Sequence, residues 1–367
     1  VASDTATGSI YLAETDGVAL GTISTTAGGI SVSAGGAVTT SADVTAAGGA
    51  LAIAGVDITN SNTLTGDANG ITLDAGTGTL TNTAGSITNG GTDGAISLAA
   101  DTEIALAGGS ILGGSGDVTL KDSSGGVAIG VAGGAGAISI DDAEIDVITT
   151  SGKIIIGDAS SGAVTIGGPI QPWAGEALQF GGSSVALNAN VTTADAEITF
   201  VPAVTTAVGA VTVDSGSGAG DITFSSTLDG TQDVSLDSGT GDINFDGIVG
   251  ATPLLSLDTT GTSGTISIGQ NITTTGAQTY DGPVTLSGSP TLASNSGSGL
   301  VSFTDTVNGN GALTVTSGNG GLTFGNTVGI STPITSLATT GTTGTITLTG
   351  PVTSTGDQTY SGPVSVA

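Results

Sequence analysis

The sequence predicts an all-β protein, a parallel β-solenoid with coils of about 20–24 residues. Three observations predict this fold class: the composition disfavours helices, short apolar triplets recur along the chain, and a long segment is duplicated. Strands this short cannot each bury an apolar side alone. Stacked coils would bury all of them against one continuous core, with each backbone ladder paired to the coils on either side.

The composition favours strands and turns. Of 367 residues, 66 are glycine, and only 9% are charged, whereas about 25% is usual in a soluble domain. The chain contains two Lys or Arg residues and no Met, so side chains that favour helices are scarce and long helices are not expected. A disordered Gly-rich and Ser-rich chain is the alternative, but the patterned apolar residues argue against it.

Triplets of two apolar residues flanking a polar one are the main local signal. In a strand the outer residues of such a triplet point to one face and the middle residue to the other. Similar triplets lie between the phenylalanines and in the first half of the chain, so that strands recur every 9–13 residues or so. All six phenylalanines close a triplet: Leu178-Gln179-Phe180, Ile198-Thr199-Phe200, Ile222-Thr223-Phe224, Ile243-Asn244-Phe245, Val301-Ser302-Phe303 and Leu322-Thr323-Phe324.

A longer repeat supports the same architecture. Residues 253–286 align without a gap to residues 333–366 at an offset of 80, which places Gln278 on Gln358 and Tyr280 on Tyr360. Residues 220–253 align to 299–333 after insertion of one residue. Duplication of this kind indicates a repeat protein.

The composition changes near residue 168, since every proline and every phenylalanine lies from Pro169 onward. We therefore predict a solenoid segment over residues 1–168 with a small core of Ala, Val and Ile. A second segment, over residues 169–367, has a Phe-containing core and the 80-residue repeat. A linker between independent domains is the alternative. Trp173 is interpreted as a packing residue at this junction, with a recognition residue as the alternative.

The charge excludes several functions. The net charge is −29, and the only basic residues are Lys121 and Lys153. Nucleic-acid binding is excluded because it needs a basic face.

Without His or Cys there is no Ser-His-Asp triad, no usual zinc site and no disulfide. No run of 18 apolar residues is present, so we expect no membrane insertion.

The sequence also predicts that the protein is not an enzyme, with no catalytic residues and no cofactor. Paired carboxylates are the remaining route to catalysis. The acidic residues to consider for it are the dense cluster at residues 141–146 and four aspartates spread over successive turns, Asp229, Asp233, Asp237 and Asp242. The aromatic platforms that sugar-cleaving enzymes use are scarce, because the chain has one Trp and three Tyr.

Calcium is the one metal to consider, since oxygen ligands are plentiful. The densest acidic cluster comprises Asp141, Asp142, Glu144 and Asp146. These four residues are the candidate ligands for an adventitious calcium ion, and a solvated acidic turn is the alternative. No EF-hand or nonapeptide calcium repeat is present.

Two recurrent motifs resemble those of filamentous haemagglutinin-type large bacterial exoproteins. The first is the unit Ser238-Gly239-Thr240-Gly241-Asp242-Ile243-Asn244-Phe245. The second is the Thr/Ser-Thr-Gly-x-Gln-Thr-Tyr-x-Gly-Pro-Val segment at residues 274–284 and 354–364. The resemblance implies a right-handed parallel β-helix, export to the extracellular space or the bacterial cell surface, and an adhesive or filament-forming role. The family's amino-terminal secretion domain has no counterpart in the chain.

From the residues and the resemblance together we expect a structural repeat region of a secreted or cell-surface adhesin, acting as a rigid stalk. The alternative is a self-assembling subunit of an extracellular filament, sheath or surface layer. The expected partners are neighbouring repeats of the same protein or further copies of it, and a glycan or protein of a host or cell surface. The start at Val1 and the lack of Met lead us to expect a processed or excised segment.

Overall fold

A computed structural model describes residues 3–5, 7–90, 92–171, 175–295 and 298–367. It is an all-β structure in which parallel, stacked sheets form a β-solenoid of about 16 turns, which confirms the predicted fold class. Two compact units are distinguished, residues 1–185 and residues 186–367. The division falls within strand Val185–Leu187. Trp173 lies outside the described residues.

The first unit winds three parallel sheets around its core, which we name 1A, 1B and 1C. The described strands of sheet 1A are Ser3–Thr5, Ile23–Thr25, Val44–Ala46, Thr63–Thr65, Ser86–Thr88, Ser110–Gly114 and Ile148–Thr150. Those of sheet 1B are Ile10–Glu14, Ile30–Ala34, Leu51–Ala54, Ile71–Asp74, Ile96–Ala99, Val118–Lys121, Lys153–Ile156 and Ala177–Phe180. Those of sheet 1C are Val18–Leu20, Val38–Thr40, Ile58–Thr59, Thr79–Thr81 and Glu103–Ala105.

One coil of the first unit is enlarged. Ile111 pairs with Ile148, 37 residues further on, whereas Ile10 pairs with Ile30 after only 20. The extra residues include a short α-helix, Asp142–Ile145. They also form part of a small parallel sheet, 1D, in which the strands lie in the order Ile138–Ile140, Ile129–Val131 and Val164–Ile166.

The second unit repeats the three-sided plan with sheets 2A, 2B and 2C. The strands of 2A after Val185–Leu187 are Val204–Thr206, Leu228–Gly230, Val249–Leu254, Ile272–Thr274, Thr291–Ser294, Ala312–Thr316, Ser336–Thr339 and Gln358–Thr359. Those of 2B are Val191–Thr192, Val211–Asp214, Asp233–Asp237, Ser256–Asp258, Gln278–Tyr280, Val301–Phe303, Leu322–Phe324, Ile346–Leu348 and Val364–Val366. Those of 2C are Ile198–Phe200, Ile222–Phe224, Ile243–Phe245, Ile266–Ile268, Val284–Leu286 and Val307–Gly309. A 3₁₀-helix covers Gly318–Gly320.

The core of each unit is lined by the outer residues of the triplets. In strand Ile243–Phe245 both outer residues are buried and Asn244 is only half-buried. The same face carries a stack of parallel rings, with the Phe200 and Phe224 centroids 5.0 Å apart and the Phe224 and Phe245 centroids 5.9 Å apart. Like residues are therefore stacked on like residues along the interior, as the sequence predicts.

The core composition agrees in part with the sequence analysis. Every phenylalanine is buried, and each lies beyond residue 168. Leucine also contributes to the core of the first unit, through Leu20, Leu73 and Leu98 among others, so that core is less small than expected. The separation of residues 1–168 from 169–367 as solenoid segments stays a prediction.

Coil length varies without disturbing the stacking. Ile198 pairs with Ile222, 24 residues on, while Ile266 pairs with Val284, 18 residues on, and both pairs keep their neighbours in register. The differences are absorbed at the corners. Some corners leave no room for a side chain: a Cβ built on Gly78 would lie 1.6 Å from the carbonyl oxygen of Val56, so only glycine fits there.

The apolar triplets account for only part of the strands in the structure. The triplets predict strands every 9–13 residues or so, but each coil has three sides, and some sides carry a strand with a single inward apolar residue, such as Ile58–Thr59. Residues 254–257, Leu-Leu-Ser-Leu, have the apolar pattern of a single strand. In the structure Leu255 is an exposed corner residue between strands Val249–Leu254 and Ser256–Asp258.

A ladder of polar side chains runs inside the first unit. The Thr40 Oγ1 donates a hydrogen bond to the Asn60 Oδ1 over 2.7 Å, and the Asn60 Nδ2 donates one to the Asn82 Oδ1 over 2.7 Å. All three residues are buried. In sheet 1C, Thr81 pairs with Ala105, so the residue beside Asn82 in the next coil is Leu106. Because leucine has no polar side-chain atom, the ladder ends at Asn82. The triplet pattern gives no indication of this interior polar ladder.

We predict that Asn60→Ala lowers the free energy of unfolding by about 2–3 kcal/mol, because the buried Thr40 Oγ1 loses its acceptor and the buried Asn82 Oδ1 loses its donor. Urea denaturation followed by circular dichroism measures the change. The matched control is Thr59→Ala, at an exposed position of the same strand, which should leave the urea midpoint almost unchanged. Equal midpoints for the two variants would contradict a stabilising role for the ladder.

Candidate functional surfaces

Aspartate and asparagine side chains connect successive coils at the corners. In each case a carboxylate or amide oxygen accepts a hydrogen bond from a backbone N–H one coil further along the chain. The Asp242 Oδ1, for example, accepts from the Thr265 N over 2.7 Å. Further members are Asp43 with Thr63, Asp57 with Thr79, Asp117 with Lys153, Asn190 with Thr212, Asp221 with Asp242, Asp229 with Thr252 and Asn271 with Thr291.

These corner acceptors were missed by the sequence analysis, although a signal is present. With the exception of Asp229, which is the middle residue of strand Leu228–Gly230, each Asp or Asn stands directly before the first apolar residue of a strand, as in Asp221-Ile222 and Asp242-Ile243. The side chain binds the N–H of the residue that lies beside it in the next coil. For example, Ile243 pairs with Ile266, and Asp242, which precedes Ile243, binds the N–H of Thr265, which precedes Ile266. Many of the acidic residues are therefore structural hydrogen-bond acceptors.

The four aspartates considered for catalysis each have such a local role. Asp229 and Asp242 are corner acceptors. The Asp237 Oδ1 accepts from the Gly239 N over 3.0 Å within its own turn, and the Asp233 Oδ1 accepts from the Ser256 Oγ over 2.5 Å. Carboxylates that are held by backbone and hydroxyl donors are suited to fixing turns. The absence of enzymatic activity stays a prediction.

Two aspartates have lowered pKa values. Partial burial alone would raise the pKa of Asp101, but hydrogen bonds from Ser124 and Ser123 outweigh it and hold the pKa below its usual range. Asp158 is likewise partly buried, and donors on Lys121 and Ser160 hold its pKa well below the usual range. The Lys121 Nζ lies 2.8 Å from the Asp158 Oδ2. These acids stay ionised to low pH because the charged form receives the hydrogen bonds.

The candidate calcium ligands lie around the helix Asp142–Ile145. The Glu144 Oε2 accepts from the Asp141 N over 2.9 Å, which forms a capping box, and its Oε1 accepts from the Leu106 N over 2.8 Å. Burial raises the pKa of the Glu144 carboxyl, against these two hydrogen bonds. The Asp142 Oδ1 accepts from the Gln171 N over 2.9 Å. Glu144 thus anchors the helix of the enlarged coil to the segment that follows strand Glu103–Ala105, and Asp142 binds a second segment.

Over residues 3–171 and 175–367, where described, no group of three or more acidic side chains converges in a way that could hold a metal ion. Calcium binding by Asp141, Asp142, Glu144 and Asp146 stays a prediction. The same part of the chain contains no helix with the length and apolar character needed to cross a membrane.

Two surface grooves accompany the corners. One, of about 320 Å³, is lined by small residues including Gly28, Gly29 and Gly48, beside the ring of Tyr11, which is 81% exposed. The other, of about 360 Å³, is lined by Asp214, Asp237 and the glycines of their turns. Both are shallow depressions between adjacent corners of the coils, and neither contains a cluster of catalytic side chains.

The equivalent tyrosines of the repeat occupy different environments. Tyr280 is fully buried and stacks on Phe303 with the ring centroids 5.0 Å apart, and burial raises the pKa of its phenol. Tyr360 is half-buried. Each tyrosine hydroxyl donates to the glutamine two residues before it, over 3.0 Å to Gln278 and 2.9 Å to Gln358.

Comparisons with protein-family models, with curated proteins and with solved structures found no match.

We predict that Asp242→Ala lowers the free energy of unfolding by about 1 kcal/mol, because the Thr265 N–H loses its acceptor. Asp242→Asn keeps a carbonyl oxygen at the same place and should stay within about 0.5 kcal/mol of the parent protein. Urea denaturation measures both, and Asp246→Ala, at an exposed position, is the control for loss of charge alone. A larger loss for the Asn variant than for the Ala variant would contradict the role of acceptor.

We also predict that the protein is stabilised by salt. The net charge of −29 is distributed over a chain with two basic residues, so like charges repel one another in the folded state. Raising NaCl from 10 to 100 mM shortens the screening length from about 30 to about 10 Å and should raise the urea midpoint.

Calcium and magnesium at equal concentration should act alike, because the described side chains do not converge into a metal site. The control is Asp141→Asn combined with Asp142→Asn. Stabilisation that is specific to calcium in the parent protein, and absent from this variant, would instead establish calcium binding at the predicted cluster.

Proposed function

We propose that the chain is a structural, non-enzymatic repeat region of a secreted or cell-surface bacterial adhesin of the filamentous haemagglutinin type, acting as a rigid stalk. The proposal rests on how the side chains are distributed between the interior, the corners and the surface. Apolar residues line the stacked interior, and acidic residues hold successive corners together. The described surface carries hydroxyl groups, amides, further carboxylates, scattered apolar side chains and shallow grooves. The motifs at residues 238–245 and 274–284 support the family assignment.

A stalk needs resistance to bending and stretching, and the contacts between coils are suited to this. Each coil is joined to the next by backbone ladders on three sides, as at Ile222 with Ile243 and Val211 with Val234, and by corner acceptors such as Asp242. A side chain that binds the neighbouring coil resists separation of the two coils at a point where the backbone ladder is interrupted.

The test is mechanical. The chain is attached between a surface and a bead in an optical trap, and a Gly/Ser linker of equal length serves as the control. A stalk keeps its length at forces that already stretch the linker and then lengthens in discrete steps as coils open. Smooth extension at the same forces as the linker would overturn the proposal.

A self-assembling subunit of a filament, sheath or surface layer is the second candidate. It is favoured by exposed apolar side chains such as Val208 and Ile330, which are 64% and 56% exposed and could contact a second copy. Sedimentation velocity over a hundredfold range of concentration distinguishes the two. A stalk region sediments as one species throughout, whereas a subunit gives larger species as the concentration rises, and these should be suppressed by Val208→Lys combined with Ile330→Lys.

A further inference from the structure

The 80-residue repeat of the sequence does not correspond to a whole number of coils. Ile266–Ile268 is a strand of sheet 2C, but its copy Ile346–Leu348 is a strand of sheet 2B. Gln278–Tyr280 belongs to sheet 2B, and its copy Gln358–Thr359 belongs to sheet 2A. Each strand of the second copy lies one face before its equivalent.

The shift follows from the number of strand positions in the repeat. Among the described residues, the chain passes eleven strand positions from Ile266–Ile268 to Ile346–Leu348, if Val328, which bridges Val307 of sheet 2C, is counted as one of them. With three strands in each coil, eleven positions are one short of four turns. The second copy is therefore rotated by one face about the axis of the second unit.

The local contacts of the two copies are nevertheless the same. In each copy a glutamine amide donates to a backbone carbonyl and to a hydroxyl, and a backbone N–H binds a threonine hydroxyl one coil earlier. In the first copy the bonds are Gln278 Nε2 to Ile272 O (3.4 Å) and to Thr274 Oγ1 (3.2 Å), and Asp281 N to Thr259 Oγ1 (3.0 Å). In the second they are Gln358 Nε2 to Val352 O (3.1 Å) and to Ser354 Oγ (3.1 Å), and Ser361 N to Thr339 Oγ1 (2.7 Å).

The aromatic stacks rotate with the repeat. Phe200, Phe224 and Phe245 are stacked along sheet 2C. The equivalent rings on sheet 2B belong to Tyr280, Phe303 and Phe324, with centroid distances of 5.0 and 5.1 Å. Tyr360 is the next residue at this offset and directly follows strand Gln358–Thr359 of sheet 2A. The aromatic positions related by this offset, Phe200, Tyr280 and Tyr360, thus lie on 2C, on 2B and directly after a strand of 2A.

We propose that the 80-residue segment is an eleven-strand module that can be removed from or added to the solenoid as a whole, and that each module rotates everything after it by one face. The faces are interchangeable because a module depends on contacts within itself and with the coil beside it, and the contacts of Gln278 with Thr274 and of Asp281 with Thr259 recur in the rotated copy. Tandem modules consequently present the same surface residues on three sides in turn, so that a partner recognising one module would meet the next from another side. This inference does not depend on the proposed stalk function.

The test removes one module. Deleting residues 254–333 joins Pro253 to Ile334, so that Ile346–Leu348 takes the place of Ile266–Ile268 and Thr347 takes the place of Ser267, which pairs with Asn244. Lateral neighbours lie about 4.8 Å apart, within the reach of a disulfide. The natural chain has no cysteine, so Asn244→Cys with Thr347→Cys gives an unambiguous readout.

We expect this pair to form a disulfide in the deletion variant and not in the full chain, where Asn244 and Thr347 lie on sheets 2C and 2B. Thr323→Cys with Thr347→Cys in the full chain is the positive control, because these residues are paired there. A folded deletion variant without the Asn244 to Thr347 disulfide would overturn the proposal.

A second deletion tests whether the unit that can be removed is the 80-residue module or a whole number of coils. Removing residues 257–321 joins Ser256 to Leu322 and preserves the face, since Leu257 and Leu322 both belong to sheet 2B. It breaks the internal contacts of the module. We expect the module deletion to keep the urea midpoint of the parent protein and the face-preserving deletion to lower it. Failure of the module deletion to fold, or a lower midpoint than the face-preserving variant, overturns the proposal.

Discussion

The constraint on which the rest of the structure depends is lateral register: each coil must lie on the preceding one with inward residue over inward residue. A slip of one residue would turn every apolar side chain of a strand outward. The backbone ladders alone do not fix register at the corners, where strands end. The corner acceptors do so, because a carboxylate such as that of Asp221 binds the N–H of one particular residue, Asp242, in the next coil.

This constraint accounts for an unusual charge. A net charge of −29 would destabilise a compact chain if the carboxylates served only to solubilise it. Many instead accept backbone hydrogen bonds, and donors from Ser123 and Ser124 keep the pKa of Asp101 low. Basic side chains cannot accept such bonds, so a fold whose corners present N–H groups has a use for Asp and Asn at these positions and none for Lys or Arg.

The fold class followed from the sequence because strand periodicity and duplication are local patterns. The buried Phe200, Phe224 and Phe245 confirm the triplet interpretation directly. What could not be predicted depends on which residues become lateral neighbours. Thr40, Asn60 and Asn82 look like surface residues until the coils place them at one interior corner. The enlarged coil around Asp142–Ile145 was interpreted only as an acidic cluster, because nothing in the sequence shows that Glu144 reaches the Leu106 N–H.

The relation between the sequence repeat and the coil follows from the same distinction between local and lateral contacts. A duplication copies the contacts of a segment with itself, such as those of Gln278 and Tyr280, wherever the copy is placed. The copy can be accommodated only if the preceding coil provides an equivalent apolar strand for it to pack on. Because all three faces have the same inward apolar pattern, such a strand is available three times per turn. A repeat of eleven strand positions is therefore compatible with a three-sided coil, although the two periods do not match. The solenoid requires only that each new strand finds an apolar strand in register below it, and that requirement is the same on every face.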